Sequence, residues 1–134
     1  YLGRKLIEKN IPILQRTGGH AVYIGASLIA KHLIKCSYPG QSLACALYVE
    51  GGIRTSEIGS FMFGGVDKHG KGFYSEFELV RLVIPRRTYT QSHIDYVIEI
   101  VCDIYKNRQN IKGLRITKQS EYLRHFSASL KLIN

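Results

Sequence analysis

The sequence has little cysteine and no long apolar run. Its three cysteines, Cys36, Cys45 and Cys102, are an odd number and lack CxxC spacing. We therefore expect free thiols, buried or half-buried, rather than a disulfide framework or a zinc site. No stretch approaches the roughly twenty apolar residues that span a bilayer, which argues against a membrane helix. The start, YLGRKLIEKN, carries charges where a signal peptide has its apolar centre. A cytoplasmic location is the default expectation.

Acidic residues are also scarce. Ten Asp and Glu stand against nineteen Lys and Arg, which gives a formal net charge of +9. Such an excess can indicate a polyanionic partner. The basic residues, however, are spread from Arg4 to Lys131, and their densest cluster is only Arg86-Arg87. This spread favours a solvated face, or half of a charge balance that a missing neighbour completes. A non-catalytic basic module that binds nucleic acid or another acidic partner is kept as the second functional hypothesis.

Local motifs for catalysis and metal binding are lacking as well. There is no GxSxG elbow and no Cys/His signature of a nucleophile, and the five histidines have no metal-binding spacing. The stretch DKHGKGFYSEFE, at 67–78, resembles a calcium loop in outline, but His69 and Lys71 stand where oxygen ligands are needed. The glycine pair at 18–19 lacks the strand-loop-helix context of a phosphate-binding motif. Both stretches are better explained as surface turns.

What is present is an ordinary globular composition. Hydrophobic residues make up 45% and charged residues 22% of 134 positions, which suits one domain with a moderate core. The sequence begins with Tyr1, and its single methionine is Met62. Because this start is not a natural translation start, we expect the chain to be a piece of something longer.

Apolar periodicity predicts a mixture of helices and strands. The clearest element is a helix over 91–110, for which Ser92 and Asp95 offer a capping-box-like start. The mixed pattern with short connections predicts an α/β or α+β layered domain with a mixed or antiparallel sheet. The other predicted elements are helices at 1–9, 26–34 and 42–50, strands at 11–14, 21–24, 53–63, 78–84 and 114–117, and a strand or helical turn within 122–132.

Arg81 is the one charged residue that packing alone does not explain. It opens the stretch RLVIPRRTYTQSH, directly before Leu82 and near Ile84. An arginine in a half-buried strand must either reach water along its aliphatic stem or hold an anion. His125 also lies in a segment of alternating character, but from the residues alone a structural role is the better interpretation.

Several long stretches of the chain match a known family. They are EIGSF at 57–61, RLVIPRRTYTQSHID at 81–95, NIKGL at 110–114 and LRHFSASLK at 123–131, with GGHAVYIGA at 18–26 and QSLACALYVEGGIR at 41–54 upstream. In these stretches the chain resembles the tryptophanase (tryptophan indole-lyase) family of β-eliminating lyases. The resemblance covers nearly the whole chain, and its ordered runs make chance agreement very improbable.

The resemblance implies a fold, a cofactor and a reaction. That family has the fold-type I, aspartate-aminotransferase-like architecture and uses pyridoxal 5'-phosphate to convert L-tryptophan to indole, pyruvate and ammonia. Residues 1–134 would be the C-terminal part of its small domain, with 1–10 as the end of the linking helix. The large cofactor-binding domain and its Schiff-base lysine would be absent. We therefore expect no cofactor or metal in this chain and no activity when it is alone, whereas the parent would be a homotetramer without nucleic-acid or membrane partners.

The resemblance also assigns roles to residues of this chain. Arg81 matches the arginine that binds the substrate α-carboxylate, and His125 matches a histidine near the side-chain pocket, with Phe126 beside it. Ile58 is apolar where tyrosine phenol-lyases, the alternative family, carry an arginine for the phenol oxygen. Ser56 departs from the family, which usually has an apolar residue there. Catalytic groups are expected outside this chain, and substrate-binding groups within it.

Overall fold

A computed structural model describes residues 1–133 of the chain. It combines helices with antiparallel strands, which confirms the predicted α+β class. Two short 3-10 turns, Lys35–Ser37 and Arg108–Asn110, complete the regular structure. The helices are α1 (Leu2–Glu8), α2 (Ala26–Ile29), α3 (Pro39–Gly51), α4 (Ser60–Phe63), α5 (Gln91–Lys106) and α6 (Arg124–Ser127). The strands are β1 (Ala21–Gly25), β2 (Ser56–Ile58), β3 (Gly65–Val66), β4 (Gly72–Phe73), β5 (Leu79–Val83), β6 (Leu114–Lys118) and β7 (Ser129–Leu132).

The centre of the fold is a three-stranded antiparallel sheet in the order β1-β5-β2. In the central strand β5, Val80 and Leu82 are buried, whereas Leu79 before them and Arg81 between them are half-buried. Because neighbouring residues of a strand point to opposite faces, β5 gives one face to the core and the other, with Arg81, to a partly solvated surface.

Helices α3 and α5 pack on each other and contribute to one hydrophobic core with the sheet. Pro39 occupies the first position of α3, where its missing N–H costs no hydrogen bond. The helix ends at Gly52, whose φ of +64° is the left-handed conformation that glycine adopts without strain. Core side chains include Leu6, Ile24, Leu43, Leu47, Val80 and Val101.

Two smaller hairpins flank this core. Strands β3 and β4 pair around the sequence that resembles a calcium loop. There the Asp67 carboxylate accepts the backbone N–H groups of His69 at 2.8 Å and Lys71 at 2.9 Å, so it stabilises a turn, as predicted. Strands β6 and β7 form the second hairpin.

Several element boundaries differ from the predicted ones. The helix predicted over 91–110 ends at Lys106 and is followed by a 3-10 turn. Its capping box consists of Thr90 and His93, not Ser92 and Asp95, because the extended residue that precedes the helix is Thr90. Of the three thiols, Cys36 is exposed, contrary to expectation, whereas Cys45 and Cys102 are half-buried.

Other predicted segments are shorter than their apolar patterns suggest. The helix predicted over 26–34 is a single turn, since the backbone leaves helical geometry at Ala30. The strand predicted over 53–63 divides into β2 and α4 at Gly59. The strand predicted over 11–14 contributes one antiparallel bridge, from Ile13 to Ile24.

Large apolar side chains remain on the surface along the whole described chain. We call the following residues the exposed aromatic set: Phe63, Phe73, Phe77, Tyr122 and Phe126. Among the helices of residues 1–133, none is both long enough and apolar enough to cross a bilayer.

Leu47 and Val49 provide a matched test of the α3 packing. Leu47 is 0% exposed and Val49 is 78% exposed on the same helix. We expect Leu47→Ala to lower the free energy of unfolding by about 2–5 kcal/mol, because it leaves a cavity in the core. Val49→Ala should change it by less than about 0.5 kcal/mol. Urea unfolding followed by circular dichroism measures both, and equal effects would contradict the described packing.

Candidate functional site

A cavity of about 820 Å³ lies between α3, β2, β5 and α6. Arg81 of β5, with His125 and Phe126 of α6, lines it together with Ser56 of β2. The fold thus brings together Arg81, His125 and Phe126, which are far apart in the sequence. The fourth predicted residue, Ile58, lies on β2 opposite Leu79 and is not among the lining residues of this cavity.

Arg81 occupies the middle of the central strand. Its Cα partners are Tyr23 of β1 and Ser56 of β2. The side chain is half-buried, and its Nε is buried without a hydrogen-bond partner. Within residues 1–133 Arg81 belongs to no ion pair, so no internal carboxylate neutralises it. A buried unsatisfied donor costs about 1–3 kcal/mol, so an acceptor that reached this atom would be favoured.

His125 and Phe126 form the aromatic part of the cavity wall. Their ring centroids are 4.1 Å apart, with the planes tilted by 45°. His125 is half-buried, whereas Phe126 is 81% exposed. A cationic Arg81 on one wall and two rings on another form a site that can accept a ligand with both an anionic group and an apolar group.

Two buried glutamates lie at and beside the site, and neither was predicted from the sequence. Glu57 lines the cavity and Glu78 does not. Glu57 is 5% exposed and Glu78 is 1% exposed. Glu57 accepts the backbone N–H groups of Phe61 at 3.1 Å and Met62 at 2.9 Å. Glu78 accepts the Ser60 N–H at 3.1 Å and also the Ser60 hydroxyl. Together they satisfy the first N–H groups of α4, which has no side-chain cap of its own.

The two carboxyl groups lie close together beside Gly59. A Cβ atom at Gly59 would lie 2.5 Å from Oε2 of Glu78 and 2.7 Å from Oε1 of Glu57, so any side chain there would displace both carboxyl groups. This close approach is the signal that could have revealed the pair: a glycine two residues after Glu57 in EIGSF. Oε2 of Glu78 has no hydrogen-bond partner among the described residues.

Burial makes both carboxyl groups weaker acids. The pKa of Glu57 is raised to about 6, mainly by burial and to a smaller extent by neighbouring Glu78. The Phe61 and Met62 N–H groups act in the opposite direction and lower it. The pKa of Glu78 is also raised by burial, although its hydrogen bonds from Ser60 oppose the shift.

The cavity does not itself fit pyridoxal phosphate as a covalent cofactor. That cofactor binds through a lysine amine, and within residues 1–133 no lysine lines the cavity. The same part of the chain contains no cluster of three or more His, Cys, Asp or Glu side chains that could hold a metal ion.

The chain is similar to curated lyases over nearly its whole length. It is 50% identical over 131 residues to a tryptophanase of Salinibacter ruber and 44% identical over 131 residues to a tryptophanase of Hyphomonas neptunium. It is also 43% identical over 132 residues to a tyrosine phenol-lyase of Nostoc punctiforme. Each match covers 98% of this chain but only 28–29% of the relative. No protein-family model matches the chain.

These relatives define a class: the chain is similar to one portion of curated tryptophanases and of a tyrosine phenol-lyase. Within that class, the matches confirm the predicted resemblance to tryptophanases. The chain spans less than a third of the length of the curated relatives it matches.

The raised pKa of Glu57 predicts a pH-dependent stability. Its pKa rises from 4.5 to about 6 on folding, so the protonated carboxyl favours the folded state. This contribution is fully present below pH 4.5 and is lost as the pH rises through about 6. The loss should be about 2 kcal/mol in order of magnitude.

Urea midpoints between pH 4 and 7.5 measure this dependence. We expect Glu57→Gln to flatten the fall in stability over that range, because the amide does not titrate. Glu99→Gln, at an exposed position of α5, is the matched control and should retain the wild-type slope. A Glu57→Gln curve with the wild-type slope would show that Glu57 does not carry the effect.

Proposed function

We propose that this chain is the C-terminal portion of the small domain of a tryptophanase. The parent enzyme would use pyridoxal 5'-phosphate to eliminate indole from L-tryptophan, with pyruvate and ammonia as the other products. The observation that carries the proposal is the cavity in which an unpaired Arg81 faces the His125–Phe126 pair. The identity to tryptophanases over 98% of the chain supports it.

Arg81 is the group that binds the substrate α-carboxylate in this proposal. A guanidinium donates two parallel hydrogen bonds to a planar carboxylate and so fixes the orientation of the amino acid. The buried Nε without a partner supports this role, because a carboxylate oxygen would satisfy it. Ser56 lines the same cavity next to Arg81, so the residue that departs from the family lies where the substrate would bind.

His125 and Phe126 form the wall of the side-chain pocket. The exposed ring of Phe126 offers an apolar surface to an indole, and the half-buried His125 offers a polar group at its edge. His125 supports the polar network of the pocket rather than acting directly as acid or base. Ile58, on the same sheet face as Ser56, contributes apolar character beyond the described cavity.

The cofactor would be held by the part of the parent that this chain does not contain. When bound there, pyridoxal phosphate would supply the electron sink that the elimination requires. The absence of lysine from the lining of the cavity within residues 1–133 supports this division. Residues 1–10 would be the end of the helix that links the two domains. A cytoplasmic homotetramer is the corresponding assembly of the parent.

Tyrosine phenol-lyase is the second candidate. The similarity to the Nostoc punctiforme enzyme, 43% over 132 residues, favours it almost as strongly as the tryptophanase matches favour the first candidate. Ile58 argues for indole, because an apolar side chain cannot donate a hydrogen bond to a phenol oxygen. Both candidates share the carboxylate-binding role of Arg81.

We expect the isolated 134-residue chain to be inactive. Mixed with pyridoxal phosphate, it should develop no visible absorbance of a lysine Schiff base and should release no indole from L-tryptophan. Absorption spectroscopy and a colorimetric indole assay measure the two quantities. Indole release by the chain alone would contradict the proposal that the cofactor-binding groups lie outside this chain.

The role of Arg81 can be tested by placing this chain in a complete lyase. The homologous segment of the Salinibacter ruber tryptophanase, 50% identical, would be replaced by residues 1–134. We expect Arg81→Met to lower kcat/KM for L-tryptophan by about 100-fold, mainly through KM, because charge-assisted hydrogen bonds are lost. Arg81→Lys should recover part of the loss.

Arg86→Met is the matched control, because it removes an exposed arginine that does not line the cavity. It should leave kcat/KM within about twofold of the unmutated hybrid. An equal loss in the Arg86 and Arg81 variants would contradict the carboxylate role. Release of phenol from L-tyrosine, without indole from L-tryptophan, would favour the second candidate.

A further inference from the structure

Helix α6 carries His125 and Phe126 but is not held in place by burial. It has four residues, and none of them is buried. A helix this short has no stability of its own in water. It also follows Leu123, whose φ of +51° lies in the left-handed region that costs non-glycine residues free energy. Other contacts must therefore determine where the two rings lie.

Arg124 makes the polar contacts that join α6 to α4, whereas the Ser127 hydroxyl contacts Ser120 and Leu123 in the segment just before the helix. Its Nε donates to the carbonyl oxygen of Phe61 at 2.9 Å, and its Nη2 donates to the carbonyl oxygen of Ser60 at 2.5 Å. The guanidinium carbon also lies 5.7 Å from the ring centroid of Tyr38. Arg124 itself is not among the lining residues of the cavity that contains Arg81.

The two carbonyl groups belong to α4, whose backbone is fixed from its other side. Glu57 accepts the N–H groups of Phe61 and Met62, and Glu78 accepts that of Ser60. The two buried carboxylates therefore hold the α4 amides, and Arg124 binds the carbonyls of the same turn. A continuous set of hydrogen bonds connects the core to the segment that bears His125.

We propose that Arg124 is a positioning residue, which docks α6 on α4 and so sets where His125 and Phe126 stand relative to Arg81. Its importance for substrate selection rests on the function proposed above. Arginine suits the task because two nitrogens of one planar group reach two neighbouring carbonyls. Lysine could reach one of them and would lose the planar fork.

The placement can be tested by NMR on the whole 134-residue chain. Arg124→Met removes both hydrogen bonds, and Arg124→Lys retains one donor. Arg108→Met is the matched control, since the Arg108 guanidinium also donates to a carbonyl, that of Tyr105 at 2.8 Å, and stacks over an aromatic ring. The probes are the ring signals of His125 and Phe126, with the β5 amides as a measure of the intact core.

In Arg124→Met we expect preserved β5 signals, with the ring signals of His125 and Phe126 shifted towards those of an unstructured peptide. The amide protons of Phe126 and Ala128, which close the α6 turn, should exchange about tenfold faster. Arg124→Lys should lie between this variant and the wild type, and Arg108→Met should not differ from the wild type. A residue that served stability alone would lower the urea midpoint without moving the native ring signals.

Unchanged ring signals in a folded Arg124→Met chain would overturn the proposal. If Arg124→Met does not fold, the ring signals of His125 and Phe126 in Arg124→Lys test the proposal in the same way. Loss of the β5 signals in both variants would also overturn it, because Arg124 would then be needed for the core itself.

A kinetic arm uses the same variants in the hybrid lyase. L-tryptophan reaches the His125–Phe126 wall, whereas S-methyl-L-cysteine keeps the α-carboxylate but has a short side chain. We expect Arg124→Met to reduce kcat/KM about tenfold more for L-tryptophan than for S-methyl-L-cysteine. Equal reductions would overturn the positioning role. If the unmutated hybrid releases no indole, the proposed function is contradicted. The NMR experiment would still test the docking of α6 in that case.

Discussion

The buried carboxyl groups of Glu57 and Glu78 are the constraint on which this part of the fold depends. Burying an acidic side chain is costly unless hydrogen bonds replace its hydration. Here the replacement comes from the backbone amides at the start of α4. The cost and its compensation are local to the turn that follows Gly59, and a side chain at Gly59 would displace both groups. The short helix α4 exists because two acids from outside it occupy its amino end.

The central strand β5 joins the core to the site within a few residues. Val80 and Leu82 complete the hydrophobic core, while Arg81 between them faces the cavity. Any shift in strand register would exchange these faces, so the packing of two apolar side chains fixes the position of the cation. Because β1 and β2 flank β5 on both sides, the backbone of Arg81 is held rigidly, although its Nε lacks a partner.

The sequence predicted what depends on local pattern. The alternation of β5 and the apolar stripe of α5 are properties of neighbouring residues. Strand β5 formed close to its predicted bounds, and α5 begins where predicted but ends at Lys106. The cost of placing Arg81 beside Leu82 was also visible in the sequence. The burial of Glu57 and Glu78 was not, because acidic residues are normally exposed and only the tertiary position of α4 makes their burial affordable.

The assembly of the site likewise depends on tertiary structure rather than on local sequence pattern. No local spacing relates Arg81 to His125, and only the resemblance to a family placed them in one pocket before the structure did. Ile58, which the same resemblance assigns to the side-chain pocket, lies on β2 and is not among the lining residues of the described cavity. The docking role of Arg124 depends on two backbone carbonyls, which residue identities cannot indicate.

The exposed aromatic set affects how strongly copies of the isolated chain associate with one another. These side chains offer apolar surface to other copies of the chain, and long-range repulsion between molecules of net charge +9 opposes their contact. That repulsion acts over a Debye length, about 10 Å at 0.1 M salt and about 3 Å at 1 M. Ionic strength therefore governs whether isolated chains stay apart, even though it leaves the packing inside each chain unchanged.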